Sequence, residues 1–93
     1  MRRRPALVIS SDYYHRAGAD LIVARITSNV DAVKKPGDHL IQQWSVSGLS
    51  RPSLVRARLA TIHFRRVIRS LGTLAAPDMA AYEAGLAQAL GLA

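Results

Sequence analysis

An unbroken apolar run near the N-terminus, Ala6 to Ile9, constrains this chain more than any other feature. Pro5 bounds the run on one side and Ser-Ser-Asp bounds it on the other, so it is too short for an ordinary helix. The pattern is typical of a strand buried on both faces. An arginine cluster, Arg2 to Arg4, directly precedes the strand. We therefore expect a core strand that holds positive charge at the edge of a packed body.

A second apolar segment, Asp20 to Ser28, predicts a strand that pairs with the first as an antiparallel hairpin. A hairpin centred between His15 and Arg16 pairs residues whose numbers sum to 31, so Arg4 faces Thr27. Opposed residues of an antiparallel pair project on the same face, with Cβ atoms about 4.5–5.5 Å apart. The sequence thus predicts that Arg4 and Thr27 converge at one end of the sheet.

The rest of the chain predicts further short strands and one helix. In order, the patterns indicate a loop over 12–19, a turn over 29–38, a strand over 39–44, a turn over 45–52, a strand over 53–60, a helical turn over 61–66 and a last strand over 67–71. The clearest helix closes the chain between Pro77 and Gly91, because apolar residues recur on one stripe from Met79 onward. The result is an α+β or small mainly-β, barrel-like fold, which we expect to be a single domain over 1–93.

The strand 53–60 should alternate, with Val55, Ala57 and Leu59 facing inward and Arg56 and Arg58 facing outward. The chain contains no cysteine, which excludes disulfides and thiolate chemistry. Its apolar runs are far shorter than the ~20 residues of a transmembrane helix. We expect a soluble, cytoplasmic protein with no membrane partner.

Charge is the most informative part of the composition. The formal net charge is +7, and residues 51–69 carry six arginines and no acid. Such a basic body favours an anionic partner, most simply nucleic acid. The alternative is a protein whose arginines reflect a general compositional bias, and charge alone does not decide between the two.

The sequence lacks the motifs of metal and nucleophile enzymes. His15, His39 and His63 have no metal-ligand spacing, and there is neither a glycine-rich phosphate loop nor a nucleophile elbow. We expect no metal and no cofactor. RNA cleavage requires neither, because the 2′-OH is its own nucleophile and arginine can neutralise the charge of the transition state. An Arg4–Thr27 pair would be a minimal site of this kind, although the residues taken alone favour a solvated terminal arginine and an ordinary strand threonine.

Two segments carry a family resemblance: RPALVISSD, followed by DLIVARITSNV, resembles the second and third strands of the MazF/PemK toxin endoribonucleases. Later pieces agree in order: Pro52 to Val55 opening a strand, Leu59 to Ile62 before a short turn, Leu71 to Leu74, and a closing helix that ends with Ala89 to Leu92. The resemblance implies an SH3-like, CcdB/PemK-type curved barrel with a C-terminal helix, acting as a homodimer. It also implies metal-independent cleavage of single-stranded RNA to a cyclic phosphate and a 5′-hydroxyl. A cognate antitoxin with an acidic, partly disordered segment would be the partner.

The resemblance assigns the catalytic roles to Arg4 and Thr27. Position in the chain adds a set of candidate RNA-binding residues: Arg2, Arg3, Ser28, Asn29, Lys34 and Lys35. Solvated loop residues are the alternative for the lysines. The arginines of 51–69 could bind RNA, form an outward barrel face, or dock an acidic antitoxin.

The family pattern also includes a preceding strand of the GD-x-V-x-V-x-F type and a loop, which these residues do not contain. We expect a shortened chain or a start assigned too far downstream; a gap covered by a partner chain and an inactive relative are the alternatives. A non-catalytic, toxin-like module that binds an antitoxin, gyrase or nucleic acid is therefore the competing function.

Overall fold

A computed structural model describes residues 3–32 and 34–93 of the chain. Its elements in order are β1 (Ala6–Val8), α1 (Asp12–Arg16), β2 (Asp20–Thr27), β3 (His39–Leu40), β4 (Leu54–His63), a 3-10 turn (Phe64–Arg66) and α2 (Ala76–Ala89). Over these ranges the strands form one antiparallel sheet in the order β1-β2-β4-β3. The sheet curls into half a barrel, and the C-terminal helix α2 contacts β3 and β4. The predicted α+β class is confirmed.

The pairing of β1 with β2 has the register that the sequence predicts. Ala6 pairs with Arg25 and Leu7 with Ala24, so the residue numbers sum to 31 in both pairs. Beyond the ladder, the Ile26 N–H donates to the Pro5 carbonyl oxygen over 3.3 Å. The hairpin therefore continues toward its open end, where Arg4 follows on one strand and Thr27 on the other.

The connection between these strands is a short helix, α1, and the predicted loop over 12–19 is wrong in its first half. Ser11 is the N-cap, since its hydroxyl accepts a hydrogen bond from the Tyr14 N–H over 3.4 Å. The Ser10 hydroxyl ties the corner to β2, because it accepts from the Ile22 N–H at 2.9 Å and lies 2.6 Å from His15 Nε2. Local side-chain hydrogen bonds thus give this connection a regular structure.

An irregularity in the pairing of β2 with β4 breaks the predicted alternation. Ala24 pairs with Leu59 and Ile26 pairs with Val55, so Arg25 of β2 faces the whole stretch 56–58 of β4. Such a bulge bends the strand and redirects its side chains. Val55 is fully buried as predicted, whereas Leu59 is 40% exposed. Since β4 continues to His63, the predicted helical turn over 61–66 is confined to its second half.

Two predicted strands are shorter or missing in the described part of the chain. β3 ends at Leu40, because the N–H groups of Gln42 and Gln43 donate to the Asp78 carboxylate. In a longer strand, such backbone groups would form hydrogen bonds with the neighbouring strand. The stretch 67–71 is irregular and pairs with no described strand. Its end contacts the turn at Gly48 through the backbone, since a Cβ on that glycine would overlap the Leu71 carbonyl oxygen.

The core lies between the sheet and α2. Its buried members are Ala24, Ile26, Ile41, Val55 and Tyr82, with Leu7, Ile9, Trp44, Leu49, Leu74 and Leu86 packed around them. Tyr82 is fully buried and donates its hydroxyl proton to the Arg56 carbonyl oxygen over 2.9 Å, whereas Leu90 at the helix end is 54% exposed. No helix in the described ranges is long and apolar enough to cross a membrane.

Candidate active site

A cleft of about 570 Å³ lies at the end of the sheet where β1 begins and β2 ends. Its cationic side chains are Arg3, Arg4, Arg51 and Arg69, and its hydroxyls come from Thr27, Ser28, Ser50 and Ser53. Among the described residues, no carboxylate and no imidazole lines it. The described residues also contain no group of three or more histidine, aspartate or glutamate side chains that could hold a metal ion. The cleft is therefore suited to an anion.

The two predicted catalytic residues both line this cleft. Arg4 is exposed just before β1, and Thr27 is the half-buried last residue of β2. The Thr27 hydroxyl oxygen accepts a hydrogen bond from the Asn29 N–H over 3.1 Å. That bond holds the oxygen through one of its two acceptor positions and leaves the hydroxyl proton to be donated to an oxygen of a bound anion. The cleft thus holds a hydroxyl group and a guanidinium group, and both can donate hydrogen bonds to an anion.

One wall of the cleft is built by the turn that contains Gly48 and Leu49. Gly48 has a φ of +90°, a conformation that side-chain-bearing residues rarely adopt. The same glycine allows the close approach of the Leu71 backbone, and Leu71 also lines the cleft. This wall depends on a backbone-to-backbone contact that a larger residue would prevent.

Asp78 anchors the start of this turn to helix α2. Its carboxylate, 2% exposed, accepts hydrogen bonds from the Gln42 N–H (2.8 Å), the Gln43 N–H (2.9 Å) and the His39 ring nitrogen (2.8 Å). Burial acts to raise the pKa of this carboxyl, but the hydrogen bonds from Gln42, His39 and Gln43 outweigh burial and lower the pKa. Ser47 adds a second connection, because its hydroxyl accepts from the Ala75 N–H over 3.3 Å.

The remaining predicted RNA-binding residues are divided among different places. Arg3 and Ser28 line the cleft, whereas Asn29 lines a smaller neighbouring depression together with Thr27. Lys34 and Lys35 are exposed outside both cavities. Arg2 lies outside the described residues.

Sequence reasoning did not assign several residues that the fold brings to these cavities. Arg51 and Arg69 line the cleft. The one sequence feature that indicated a role for them was their place in the basic stretch 51–69. Arg25 lines the smaller depression, and no signal in the sequence distinguished it from an ordinary outward strand residue. Its placement follows from the bulge opposite it.

Comparisons with known structures find the same fold in toxins. The chain is 25% identical to the MazF-mt6 toxin of Mycobacterium tuberculosis, covering 97% of this chain and 88% of that chain with a TM-score of 0.79. An endoribonuclease from a mycobacterial species, solved with its cognate antitoxin, is 24% identical over 97% of this chain and 82% of that chain, with a TM-score of 0.82. The MazE–MazF structure from Deinococcus radiodurans is 24% identical over 98% of this chain and 88% of that chain, with a TM-score of 0.77.

A comparison with curated proteins by sequence finds no match. The model of one protein family, however, matches residues 1–90 of this chain. That match spans nearly the whole sequence, and the curled sheet with its C-terminal helix is the architecture of the structural relatives. The chain belongs to the family of PemK-like, MazF-like toxins of type II toxin-antitoxin systems.

Proposed function

We propose that this toxin is a metal-independent endoribonuclease that cleaves single-stranded RNA. The observation that carries the proposal is the presence of Arg4 and Thr27 at one cationic cleft that is free of acidic side chains among the described residues. The name of the mycobacterial structural relative, an endoribonuclease, agrees with this chemistry.

In the proposed reaction, the 2′-OH of a bound ribonucleotide attacks the neighbouring phosphorus. A new P–O2′ bond forms, the P–O5′ bond breaks, and the products are a 2′,3′-cyclic phosphate and a 5′-hydroxyl. The proton of the 2′-OH leaves to solvent and a proton from water reaches the departing O5′, so the step is balanced. Arg4 neutralises the charge that builds on the phosphoryl oxygens, and the Thr27 hydroxyl donates to one of them.

The fixed position of these groups is as important as their charge. A preorganised donor stabilises the transition state without a reorganisation cost, and the loss of one such donor typically reduces kcat by about 10²–10³. The hydrogen bond between the Asn29 N–H and the Thr27 oxygen supplies part of this preorganisation. Arg3, Arg51 and Arg69 would hold other phosphates of the strand that lie within the cleft.

We further propose a homodimer and inhibition by a cognate antitoxin. Large apolar side chains remain exposed after the last described strand, including Phe64 (51%), Val67 (45%) and Ile68 (61%), and a second copy would cover such a surface. One structural relative was solved with its cognate antitoxin, and another was solved as a MazE–MazF structure. An acidic antitoxin segment would compete for the same cationic cleft.

The test is cleavage of a long single-stranded RNA in the presence of EDTA. We expect cleavage by the wild-type protein, a loss of about 10²-fold or more in Arg4→Ala and in Thr27→Ala, and no cleavage of the same sequence as DNA. Arg16→Ala and Thr61→Ala are matched controls, because both residues are exposed and lie outside the cleft.

Cleavage that survives Arg4→Ala and Thr27→Ala with folded protein would refute the assignment of the site. Intact RNA after long incubation with the wild-type protein, together with tight binding of an acidic antitoxin segment, would instead favour a non-catalytic binding module.

A further inference from the structure

Arg25, Arg56 and Arg58 form a second cationic group, here called the arginine cluster. They line a depression of about 180 Å³ on the sheet, next to the cleft. Arg25 lies at the bulge, where it faces residues 56–58 of β4 instead of one partner. A regular ladder would place one of these arginines across from Arg25, whereas the bulge places the whole stretch there. The backbone irregularity therefore concentrates the positive charge.

This concentration is unfavourable unless an anion relieves it. Like charges opposed across strands destabilise a sheet. The pKa of Arg25 is lowered, first by the nearby charge of Arg4, then by burial and then by the charges of Arg58 and Arg56. Arg25 Nε is a buried donor with no hydrogen-bond partner in the described structure. Asp38 forms an ion pair with Arg56, with 3.6 Å between the Asp38 Oδ2 and the Arg56 Nη2. The group has the character of a prepared anion site.

The cluster is continuous with the cleft through one residue. Thr27 lines both cavities, and Asn29, which donates its N–H to the Thr27 hydroxyl, lines the depression. Arg25 and Thr27 belong to the same strand and are two residues apart, so their Cα atoms are separated by about 6.6 Å on the same face. Successive phosphates of an extended nucleic-acid strand have a similar separation.

We propose that the arginine cluster binds the phosphate next to the scissile one in the same RNA strand. This inference rests on the proposed function, because the scissile phosphate is the one held at Arg4 and Thr27. The planar guanidinium fork matches a phosphate in a two-point hydrogen bond, and the adjacent Asn29 and Thr27 offer polar groups to the sugar-phosphate backbone. The separation between Arg25 and Thr27, which is similar to that of successive phosphates, favours RNA over an acidic peptide as the occupant.

The experiment measures binding of a single-stranded RNA whose 2′-hydroxyls are methylated, so that it cannot be cleaved. Fluorescence anisotropy over a series of salt concentrations gives both the affinity and the number of phosphates neutralised. The test variants are Arg58→Gln and Arg25→Gln, and the matched control is Arg66→Gln, an exposed arginine outside both cavities. Thermal unfolding shows whether each variant is folded. Because Arg58 is exposed, Arg58→Gln should fold and can test the proposal even if Arg25→Gln does not fold.

We expect Arg58→Gln to weaken binding by about fivefold and to reduce the slope of log K against log salt by about 0.7, the value for one phosphate of a single strand. Arg66→Gln should change neither quantity. With cleavable RNA, Arg58→Gln should raise KM and leave kcat nearly unchanged, in contrast to the loss of kcat expected for Thr27→Ala.

The two proposals can fail separately. If the wild-type protein does not cleave RNA but Arg58→Gln still weakens binding more than Arg66→Gln, the cluster binds phosphate and the nuclease proposal fails. Equal effects of Arg58→Gln and Arg66→Gln, or no RNA binding by the wild-type protein, overturn the phosphate site. It is overturned as well if Arg58→Gln weakens binding of polyglutamate but not of RNA, since the cluster would then serve an acidic peptide.

Discussion

The buried carboxylate of Asp78 should control the stability of the turn that forms one wall of the cleft. Asp78→Asn keeps the size of the side chain but removes the charge, and its amide NH₂ group must point toward one of the backbone donors at Gln42 and Gln43. One N–H then faces another donor in a site where Asp78 is 2% exposed. The substitution thus breaks the anchor without creating a cavity.

The expected loss is about 3 kcal/mol of unfolding free energy, because each hydrogen bond to a charged group contributes roughly 1.5–3 kcal/mol and a buried donor without a partner adds its own cost. A domain of this length has a total stability of roughly 5–14 kcal/mol. At about 4–8 °C per kcal/mol, the melting temperature should fall by roughly 12–24 °C. Calorimetry or circular dichroism measures this shift.

The dependence on pH identifies the carboxylate as the cause. Because folding lowers the pKa of Asp78, its charge stabilises the protein above the unfolded-state pKa, and this contribution is lost as the pH falls through the folded-state pKa. The difference in unfolding free energy between the wild type and Asp78→Asn should therefore shrink as the pH falls below about 4, the ordinary pKa of an aspartate. Glu83→Gln, at an exposed position of the same helix, is the matched control. A loss of less than about 1 kcal/mol, or a difference that does not change with pH, would refute this reasoning.

Other consequences of the structure can be measured in the same way. Gly48→Ala should destabilise the fold by more than about 1 kcal/mol and impair RNA binding, since its Cβ would overlap the Leu71 carbonyl oxygen; an unchanged melting curve would contradict that contact. Ser10→Ala should cost about 1–2 kcal/mol by leaving the Ile22 N–H without its side-chain acceptor, with exposed Ser70→Ala as the control. No carboxylate or imidazole of the described residues lines the cleft, so log kcat/KM should rise with pH and should not pass through a maximum. A bell-shaped pH profile would contradict this and would indicate a general base from another part of the protein.

The convergence of β1 and β2 could be predicted because it depends on local rules. A short connection between two apolar runs favours an antiparallel hairpin, and the length of that connection fixes the register. The pairing of Ala6 with Arg25 satisfies the predicted sum of 31. That register alone brings the segments of Arg4 and Thr27 to the same end of the sheet, although the connection itself contains a helix that the sequence pattern did not indicate.

The features that could not be predicted depend on contacts between distant segments. The truncation of β3 requires Asp78, 36 positions after Gln42, to take the backbone donors that a longer strand would use. From the sequence, Asp78 looked like a residue suited to the positive end of a helix dipole. Its carboxylate instead joins the helix to the turn beside the cleft, and no local pattern shows that role.

The bulge at Arg25 links these two kinds of information. The alternation of 53–60 predicted that Arg56 and Arg58 share a face, and both line the depression, but the shift of pairing between Ala24 and Ile26 decides what they meet. Continuing the pairing of Ala24 with Leu59 without the shift would place Arg58 directly across from Arg25 and Arg56 across from Thr27. With it, they gather beside Thr27, at a cost in repulsion that favours an anionic ligand. If a variant restored regular pairing here, Arg56 would no longer face Arg25, and we would expect weaker RNA binding.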